Sequence, residues 1–194
     1  MKRIVICALL LGGMLTALAQ VDKEKLKTGN KKSPNAETSV TVNGKNVWIA
    51  YHAPSVNGRT VFGGDKALQP DESVWRLGAD YATVLHTDAA LDVNGLAVPA
   101  GDYTLYVALD KGNWQLILNK QLMNAAGSRN QWGINMDGTT TEDPAKDVGR
   151  VPMTMGKPAD LVETLRITLS ATGNKGKIDV AWEHLTASVP FTVK

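Results

Sequence analysis

The stretch VWRLGADYAT, residues 74–83, places an indole and a guanidinium side by side in a strand-rich sequence. Trp75 and Arg76 are followed by a glycine and then by Asp80. A guanidinium can bind a carboxylate or a phosphate through two parallel hydrogen bonds, which would make Arg76 a ligand clamp. Alternatively, Arg76 pairs with Asp80 or a nearby acidic residue, or stacks on Trp75, and fixes a corner of the fold. The sequence favours this structural role and leaves the clamp as the alternative.

A second arginine lies in the glycine-rich stretch NGRTVFGG, residues 57–64. Glycines let a backbone approach a ligand closely, but the strand-to-helix setting of a phosphate loop is missing, so a tight turn is favoured for Arg59. Turns on a rigid sheet can nevertheless present binding residues. We predict a groove in which Arg59 and Arg76 hold an anionic or polar group and Trp132 packs over it. The predicted ligand-binding residues are Tyr51, Arg59, Trp75, Arg76, Asp80 and Trp132.

The three histidines, His52, His86 and His184, are far apart in the sequence. Metal-binding histidines usually reveal themselves as close pairs, so we predict no metal site, and we find no cofactor motif or catalytic residue. His86 and Asp88 would share a strand face about 7 Å apart, which is too far for direct contact. A hydrolase that uses one of these histidines with an aspartate or glutamate remains the alternative.

The N-terminus has the pattern of a secretory signal peptide over residues 1–19. Lys2 and Arg3 precede an apolar run, and Ala17-Leu18-Ala19 resembles a cleavage site. The apolar run is shorter than the roughly 20 residues of a membrane span, so we expect no span after cleavage. Cys7 is the single cysteine and lies inside this segment. We therefore predict a periplasmic or extracellular chain without disulfides or thiol chemistry.

Charge and composition narrow the function classes further. The chain has 21 Lys+Arg and 19 Asp+Glu, and removing Lys2 and Arg3 from the 21 leaves 19 against 19. A balanced charge argues against a nucleic-acid partner, which usually requires a concentrated basic face. Residues 20–34 are polar and rich in lysine, which indicates a solvated tether. Residues 35–194 remain as a single domain.

Turn signals and alternating apolar residues predict strands throughout that domain. Asn-Gly pairs at 43–44 and 94–95 favour tight hairpins, and residues 110–113 form a third turn. Residues 102–109 alternate as expected of a half-buried strand, and the last thirty residues contain three further alternating runs. Pro190 predicts an edge strand or a bulge. The fold class is all-β: an antiparallel β-sandwich with jelly-roll-like connections.

One segment, residues 124–150, has little strand character and is longer than the usual connection. Long connections in compact domains tend to be functional or disordered insertions. Trp132 in this segment favours partial docking on the core.

Seven motifs follow one another along the chain: SPNAETSVTVNG, AYHAPSVNGRTVFGG, VWRLGADYAT, VNGLAVPAGDYTLYV, WQLILNK, NQWG and DPAKDVGRV. Their order resembles a bacterial family, domain of unknown function 2911. The resemblance covers roughly residues 33–155 and implies a secreted β domain without an established reaction. Asp80 stands where that family more often has asparagine, and Gly149 where an apolar residue is usual.

These features together predict a non-catalytic binding or envelope-associated module. Its partner would be an envelope glycan or a peptide, held by polar and aromatic residues in the turns. Two alternatives remain: an extracellular hydrolase, and a structural envelope protein in which the Trp75–Arg76 pair closes the sandwich.

Overall fold

The computed structural model describes residues 32–122, 134 and 139–194. The predicted signal peptide, nearly all of the predicted tether and Trp132 lie outside the described residues. No helix in the described ranges is both long and apolar enough to cross a membrane. A single turn of 3-10 helix, Pro144–Lys146, is capped by Asp143, whose side chain accepts a hydrogen bond from the backbone of Ala145.

Two antiparallel sheets pack face to face, which confirms the predicted all-β antiparallel sandwich. The described strands are β1 (Asn35–Val42), β2 (Lys45–His52), β3 (Val74–Trp75), β4 (Thr83–Thr87), β5 (Leu91–Val93), β6 (Leu96–Val98), β7 (Gly101–Ala108), β8 (Gln115–Asn119), β9 (Asp147–Pro152), β10 (Thr154–Gly156), β11 (Val162–Thr172), β12 (Lys175–Glu183) and β13 (Leu185–Val193).

The first sheet has the strand order β1-β2-β4-β7-β8-β9, with β3 beside β7. The second sheet has the order β11-β12-β13-β5-β6, with β10 beside β13. The chain passes from one sheet to the other after β4, after β6 and after β9. At each passage, two strands that are consecutive along the chain lie in different sheets.

The two predicted Asn-Gly hairpins are confirmed. Asn43 and Gly44 join β1 to β2 with φ of 50° and 75°, and Asn94 and Gly95 join β5 to β6 with φ of 48° and 92°. Positive φ at both central residues is the geometry that matches the twist of paired strands, and asparagine and glycine tolerate it best. These turns fix the register of both hairpins.

Four large aromatic side chains form the centre of the core between the sheets. The ring centroids of Trp75 and Trp182 are 5.7 Å apart and nearly stacked, and Phe62 packs edge-on against both indoles. Trp114 completes the group, with its centroid 4.8 Å from that of Phe62. Trp114 and Trp182 are both buried. This cluster joins strands of both sheets.

The open edge of β11 is covered by acceptors that come from the region of β1 and β2. Backbone N–H groups at alternate positions of an edge strand point away from the sheet and need partners. Three such groups find them: Leu165 donates to Pro54 O at 2.9 Å, Ile167 donates to Tyr51 Oη at 3.0 Å, and Leu169 donates to Thr38 Oγ1 at 2.9 Å.

Two strand predictions need correction. β7 is buried on both faces rather than half-buried, because Thr104 and Tyr106 on its second face are as inaccessible as Leu105 on the first. Pro190 lies in an interior strand, β13, where it pairs with Lys177 of β12. Its carbonyl faces β5 and accepts from Asn94 N, so its nitrogen faces the same side, and no ladder bond to β12 is lost.

The segment 124–150 also contains more regular structure than predicted. Its last four residues belong to β9, which pairs with β8. This strand escaped prediction because Asp147, Gly149 and Arg150 interrupt the apolar alternation, whereas Val151 alone is a buried apolar residue of the strand. A β-bulge between Leu118 and Asn119 of β8 further offsets the pairing.

Gly149 is explained by its neighbour in the other sheet. A Cβ atom at Gly149 would lie 2.6 Å from Cδ1 of Leu96, so the leucine occupies the space that an apolar side chain would fill. Leu96 packs against the main core from β6. The two positions therefore share one volume, and a larger residue at 149 needs a smaller one at 96.

We expect Gly149→Val to lower the free energy of unfolding by about 1–3 kcal/mol, because overpacking strains a filled core. Leu96→Ala should also destabilise, since it leaves a cavity. The double variant should be more stable than the sum of the two single effects predicts, by about 0.5 kcal/mol or more. Urea denaturation of the four proteins measures this coupling, and strictly additive effects would contradict the shared volume.

Candidate functional site

Tyr51 is a scaffold residue rather than a groove residue. It packs against the main core, and its hydroxyl caps Ile167 of β11 in the opposite sheet. Burial raises the pKa of the Tyr51 phenol above its ordinary value, with the backbone bond to Ile167 and the charge of Arg166 acting in the other direction. The structure therefore gives Tyr51 a role in closing the sandwich.

Arg59 closes its own turn. Its Nε donates to Val56 O at 3.0 Å, and its Nη2 donates to Ser55 O at 2.6 Å. The side chain is exposed and belongs to the loop that follows β2. This arrangement matches the tight turn that the sequence favours and turns the guanidinium toward the backbone of the same loop.

Trp75 lies with none of its surface exposed, at the centre of the aromatic cluster. Its Nε1 donates to Gly78 O at 3.3 Å. The predicted role of this indole in lining a groove is therefore wrong, because neighbouring residues in a strand point to opposite sides. Trp75 points into the core, and Arg76 points to the other side of the sheet.

The loop that follows Trp75 holds two residues in an uncommon backbone conformation. Leu77 has a φ of 56° and Asp80 a φ of 54°, the left-handed region that glycine prefers. Such conformations cost about 1–3 kcal/mol each and persist only where surrounding contacts enforce them. Leu77 is an unusual residue here, since it is branched, apolar and completely buried.

Hydrogen bonds from both neighbouring strands enforce this conformation. Thr83 Oγ1 donates to Leu77 O at 2.8 Å, and Ala79 N donates to His52 O at 3.2 Å. Gly78 also suits this loop, because a Cβ atom there would lie only 3.0 Å from His52 O and the backbone would have to shift to accept it. The loop is therefore rigid, and it determines where the side chains of Arg76 and Asp80 are presented.

Arg76 and Asp80 are the two predicted site residues that the structure brings together. Burial lowers the pKa of the Arg76 guanidinium, while the charges of Asp80 and Tyr106 oppose this shift. Arg76 Nη1 also donates to Thr140 Oγ1 at 3.4 Å. The Asp80 side chain remains 37% exposed. The acidic neighbour of Arg76 within the chain is thus Asp80, whose carboxylate is partly exposed to solvent.

These residues belong to the outer face of the first sheet, the side turned away from the second sheet. This face is unusual because it is largely buried along β4, β7 and β8, whereas Arg166, Thr168 and Ser170 on the corresponding face of β11 are exposed. It also contains two completely buried polar residues, Thr104 and Asn119. Its apolar cluster comprises Trp48, Ala82, Val84, Tyr106, Ala108 and Ile117.

Asn119 organises the polar part of the outer face. Its Nδ2 donates to Asp143 O at 2.9 Å and to Asp147 Oδ1 at 2.7 Å, and its Oδ1 accepts from Gln121 N at 2.7 Å. A buried amide satisfied in this way rigidifies its surroundings, because an unpaired polar group there would be costly. Asn119 joins β8 to the segment that leads into β9.

A charged cluster lies beside this amide. Arg150 donates from Nη2 to Glu142 Oε1 at 2.6 Å and from Nε to Asp147 Oδ2 at 3.0 Å. The two carboxyls are 8% and 14% exposed. Burial raises the pKa of the Glu142 carboxyl, as does the charge of Asp147, and Arg150 lowers it.

Tyr106 connects this cluster to Arg76. Its hydroxyl donates to Thr141 O at 2.9 Å. Burial raises the pKa of the Tyr106 phenol, the charges of Glu142 and Asp147 raise it further, and Arg76 lowers it. Tyr106 therefore lies within range of charges from two segments more than sixty residues apart, which the sequence alone does not bring together.

The histidines lie in separate places. His52 ends β2 and is buried, with Nδ1 3.2 Å from Ala79 O and 4.0 Å from Asp80 Oδ2. His86 lies in β4, and His184 is exposed at the turn between β12 and β13. No group of three potential metal ligands occurs among residues 32–122, 134 and 139–194.

His86 is held between two carboxylates. Its Nδ1 lies 2.7 Å from Asp102 Oδ1 and its Nε2 lies 3.0 Å from Asp88 Oδ1, and its ring stacks on Trp48 at 5.0 Å. The predicted separation of about 7 Å from Asp88 is wrong, because β4 ends at Thr87 and the chain turns there. Since both nitrogens are engaged, the ring has no free nitrogen for a substrate.

A comparison with protein-family models matches residues 33–191 to the family described as Protein of unknown function (DUF2911). The chain belongs to the DUF2911 family. No curated protein and no solved structure matches this DUF2911 chain significantly. The family assignment confirms the resemblance that the motifs indicate, and it supports no particular reaction.

Two of the motifs that carry the DUF2911 resemblance place charged residues within electrostatic range of Tyr106. VWRLGADYAT supplies Arg76 and Asp80, and DPAKDVGRV supplies Asp147 and Arg150. Sequence reasoning missed Tyr106, Asn119, Glu142, Asp147 and Arg150 as members of a polar site. One signal was available: the polar Asn119 ends the apolar run LIL of β8 in the stretch WQLILNK.

We expect Tyr51→Phe to lower the free energy of unfolding by about 1–3 kcal/mol, because Ile167 N would lose its acceptor. Thr38→Val should act similarly through Leu169, whereas Thr168→Val on the exposed face of β11 should change stability by less than about 0.5 kcal/mol. Urea denaturation measures all three. Equal small effects would show that the capping bonds do not stabilise the edge.

The carboxylate of Asp88 predicts an acid-dependent loss of stability. Its bond from Asn46 N, and then its bond to His86, lower the pKa of Asp88. A lowered folded-state pKa adds stability above the ordinary value of about 4, and this stability is lost as pH falls through the folded-state pKa. Asp88→Asn should therefore be less stable than the wild type at pH 7, with the difference shrinking below about pH 4. Melting temperatures between pH 7 and pH 2.5 measure this, with Asp160→Asn as the exposed control, and a constant difference would contradict it.

Proposed function

We propose that this chain is a non-catalytic binding module of the bacterial envelope that holds a polar ligand on the outer face of its first sheet. The single observation that supports this most strongly is the strained loop that contains Leu77 and Asp80. Strained backbone that its surroundings enforce is found preferentially at ligand clamps and active sites. Here it fixes Arg76 and Asp80 relative to each other.

The chemistry of this pair suits a ligand with hydroxyl or amide groups. Arg76 supplies up to five N–H donors, and Asp80 supplies carboxylate acceptors that remain partly exposed. A glycan or a peptide backbone offers both donors and acceptors, so it can engage both side chains at once. A simple anion would be repelled by Asp80. The proposed ligand is therefore an envelope glycan or a peptide.

The remaining predicted site residues support this proposal unequally. Tyr51, Arg59 and Trp75 stabilise the scaffold and do not form a groove with Arg76. Trp132 lies outside the described residues, and its packing over the ligand stays a prediction. Secretion through the signal peptide is likewise part of the proposal.

The arrangement of the histidines favours binding over hydrolysis. A general base needs a ring nitrogen within hydrogen-bond reach of the substrate. Both nitrogens of His86 contact carboxylates, and His52 Nδ1 faces a backbone carbonyl and Asp80. Because both of its nitrogens contact carboxylates, His86 is a poor candidate for the base of a hydrolase, which supports the binding role.

We expect Arg76→Ala to weaken binding at least about tenfold, since a hydrogen bond to a charged group contributes about 1.5–3 kcal/mol. The probes are peptidoglycan fragments and an array of glycans and short peptides, with affinities measured by calorimetry. Melting temperature should change little, because Asp80 can be hydrated at the surface. Asp80→Asn should keep the loop conformation, since asparagine tolerates positive φ, and should retain part of the affinity.

Arg59→Ala is the matched control, because it removes an exposed guanidinium that donates to backbone carbonyls of its own loop. It should leave affinity unchanged. A similar loss in both variants would argue against a site at Arg76. A loss of several kcal/mol of stability in Arg76→Ala, together with no bound probe for the wild type, would favour the structural alternative.

A further inference from the structure

Strand β1 lies at the end of the first sheet, and one of its two edges has no neighbouring strand in the described part of the chain. The turn that follows β1 shows which backbone groups face that edge. Val42 and Lys45 close the two-residue turn and exchange hydrogen bonds, and such residues alternate along an antiparallel pair with residues that do not. Ser39 and Thr41 therefore direct their backbone N–H and C=O groups away from β2.

The next strand supports this orientation. Asn46 is the partner of Thr41, and its N–H donates to Asp88 Oδ2 at 2.8 Å while its carbonyl accepts from Asp88 N at 2.9 Å. The backbone groups of Asn46 thus face the β4 side, so those of Thr41 face the opposite side. Ser39 and Thr41 are both exposed, and their N–H groups donate no hydrogen bond within residues 32–122, 134 and 139–194.

This edge of β1 lacks the features that usually prevent strand pairing. Exposed edges are commonly blunted by charged residues, prolines, bulges or covering groups, and the edge of β11 is covered in this way. In contrast, residues 38–42 of β1, TSVTV, contain no charge and no proline, and they pair with β2 without a register shift. Threonine and valine also favour extended backbone. The segment is therefore a template for one further strand.

We propose that this edge pairs with β1 of a second copy of the chain, so that the two first sheets join into one. Antiparallel pairing about a twofold axis places Ser39 opposite Thr41 of the other copy, and Thr41 opposite Ser39. Each of these pairs exchanges two backbone hydrogen bonds, because both residues present an N–H and a C=O group to the edge. An isologous contact of this kind closes after two copies and yields a dimer.

The charges beside this edge fit a second copy as the occupant. Glu37 is the only charged residue of β1, and the register places it opposite the turn of the other copy, which contains Asn43 and ends at Lys45. The twofold axis repeats this approach of a carboxylate to an ammonium group at the other end of the contact. No like charges of the two β1 strands oppose each other. Complementary charges of this kind select the partner and the register more than they add affinity.

The dimer would also present two outer faces together. Thr38 and Val40 face the second sheet, so Ser39 and Thr41 project on the outer face of the first sheet. Since residues that pair across a sheet project on the same face, the outer faces of both copies lie on one side of the joined sheet. A polymeric ligand that contacts Arg76 of both copies would gain avidity without any new contact. Only this use of the dimer rests on the proposed function.

Ser39→Pro tests the contact, and Ser39→Ala is its matched control. Proline removes the N–H group that faces the edge and places its ring there, but it leaves the ladder with β2 intact, because this N–H takes no part in it. Sedimentation velocity of the purified protein at increasing concentration should show a monomer–dimer equilibrium for the wild type and for Ser39→Ala. Ser39→Pro should raise the dissociation constant at least about tenfold, since the twofold axis doubles the loss of hydrogen bonds.

A wild type that stays monomeric at every concentration would overturn the proposal. Dimers that are equally stable in Ser39→Pro would also overturn it, because they would use another surface. A monomeric wild type whose Ser39 and Thr41 amides become protected from hydrogen exchange only when an extended peptide is added would assign the edge to a foreign strand and exclude the second copy.

A second variant covers the case in which Ser39→Pro does not fold. The double variant Ser39→Lys, Thr41→Lys keeps every backbone donor and sets like charges opposite each other across the twofold axis, so it should dissociate in the same way. A double variant that dimerises like the wild type would contradict the contact. Because sedimentation needs no ligand, a failure of the proposed binding function leaves this result unaffected, and the two proposals can fail separately.

Discussion

The stack of Trp75 on Trp182 is the contact on which the rest of the structure depends. It joins β3, a strand of two residues, to β12 of the opposite sheet. A strand of two residues forms few backbone hydrogen bonds with its neighbour. The burial of the Trp75 indole therefore fixes the position of β3. The strained loop begins at the next residue, and Trp75 Nε1 also holds the loop through Gly78 O. An apolar contact in the core thereby sets the geometry of charged groups on the surface.

The outer faces of the two sheets differ in burial. The second sheet shows the ordinary alternation of an exposed antiparallel sheet, with Leu165, Ile167 and Leu169 inward and polar residues outward. The first sheet is buried on both sides at its central strands β4, β7 and β8, and its outer side there holds polar groups that are satisfied by bonds to other parts of the chain. Burying such groups is costly unless they are paired. A buried polar network in which every group is paired also fixes the positions of its side chains, which a purely apolar surface would not do.

Local sequence patterns predicted the strands and turns of the scaffold well. The residues of the site could not be predicted in the same way, because contacts between residues distant in the sequence bring them together. The Asn-Gly turns and the alternating C-terminal strands were correct because turn geometry and burial depend on neighbouring residues. Trp75 was misassigned because alternation shows that two neighbours point apart but not which one points inward. The contact of His86 with Asp102 could not be predicted from the sequence, because it depends on the pairing of β4 with β7. Strand β9 could not be predicted because its residues do not alternate between apolar and polar.

The caps on β11 have a consequence for how the chain is assembled. A strand with unpaired donors is a template for pairing with another molecule. Here the acceptors that cover it, from Thr38, Tyr51 and Pro54, precede β11 by more than a hundred residues. They are synthesised before β11. The groups that cover this edge therefore already exist when the strand that needs them is made.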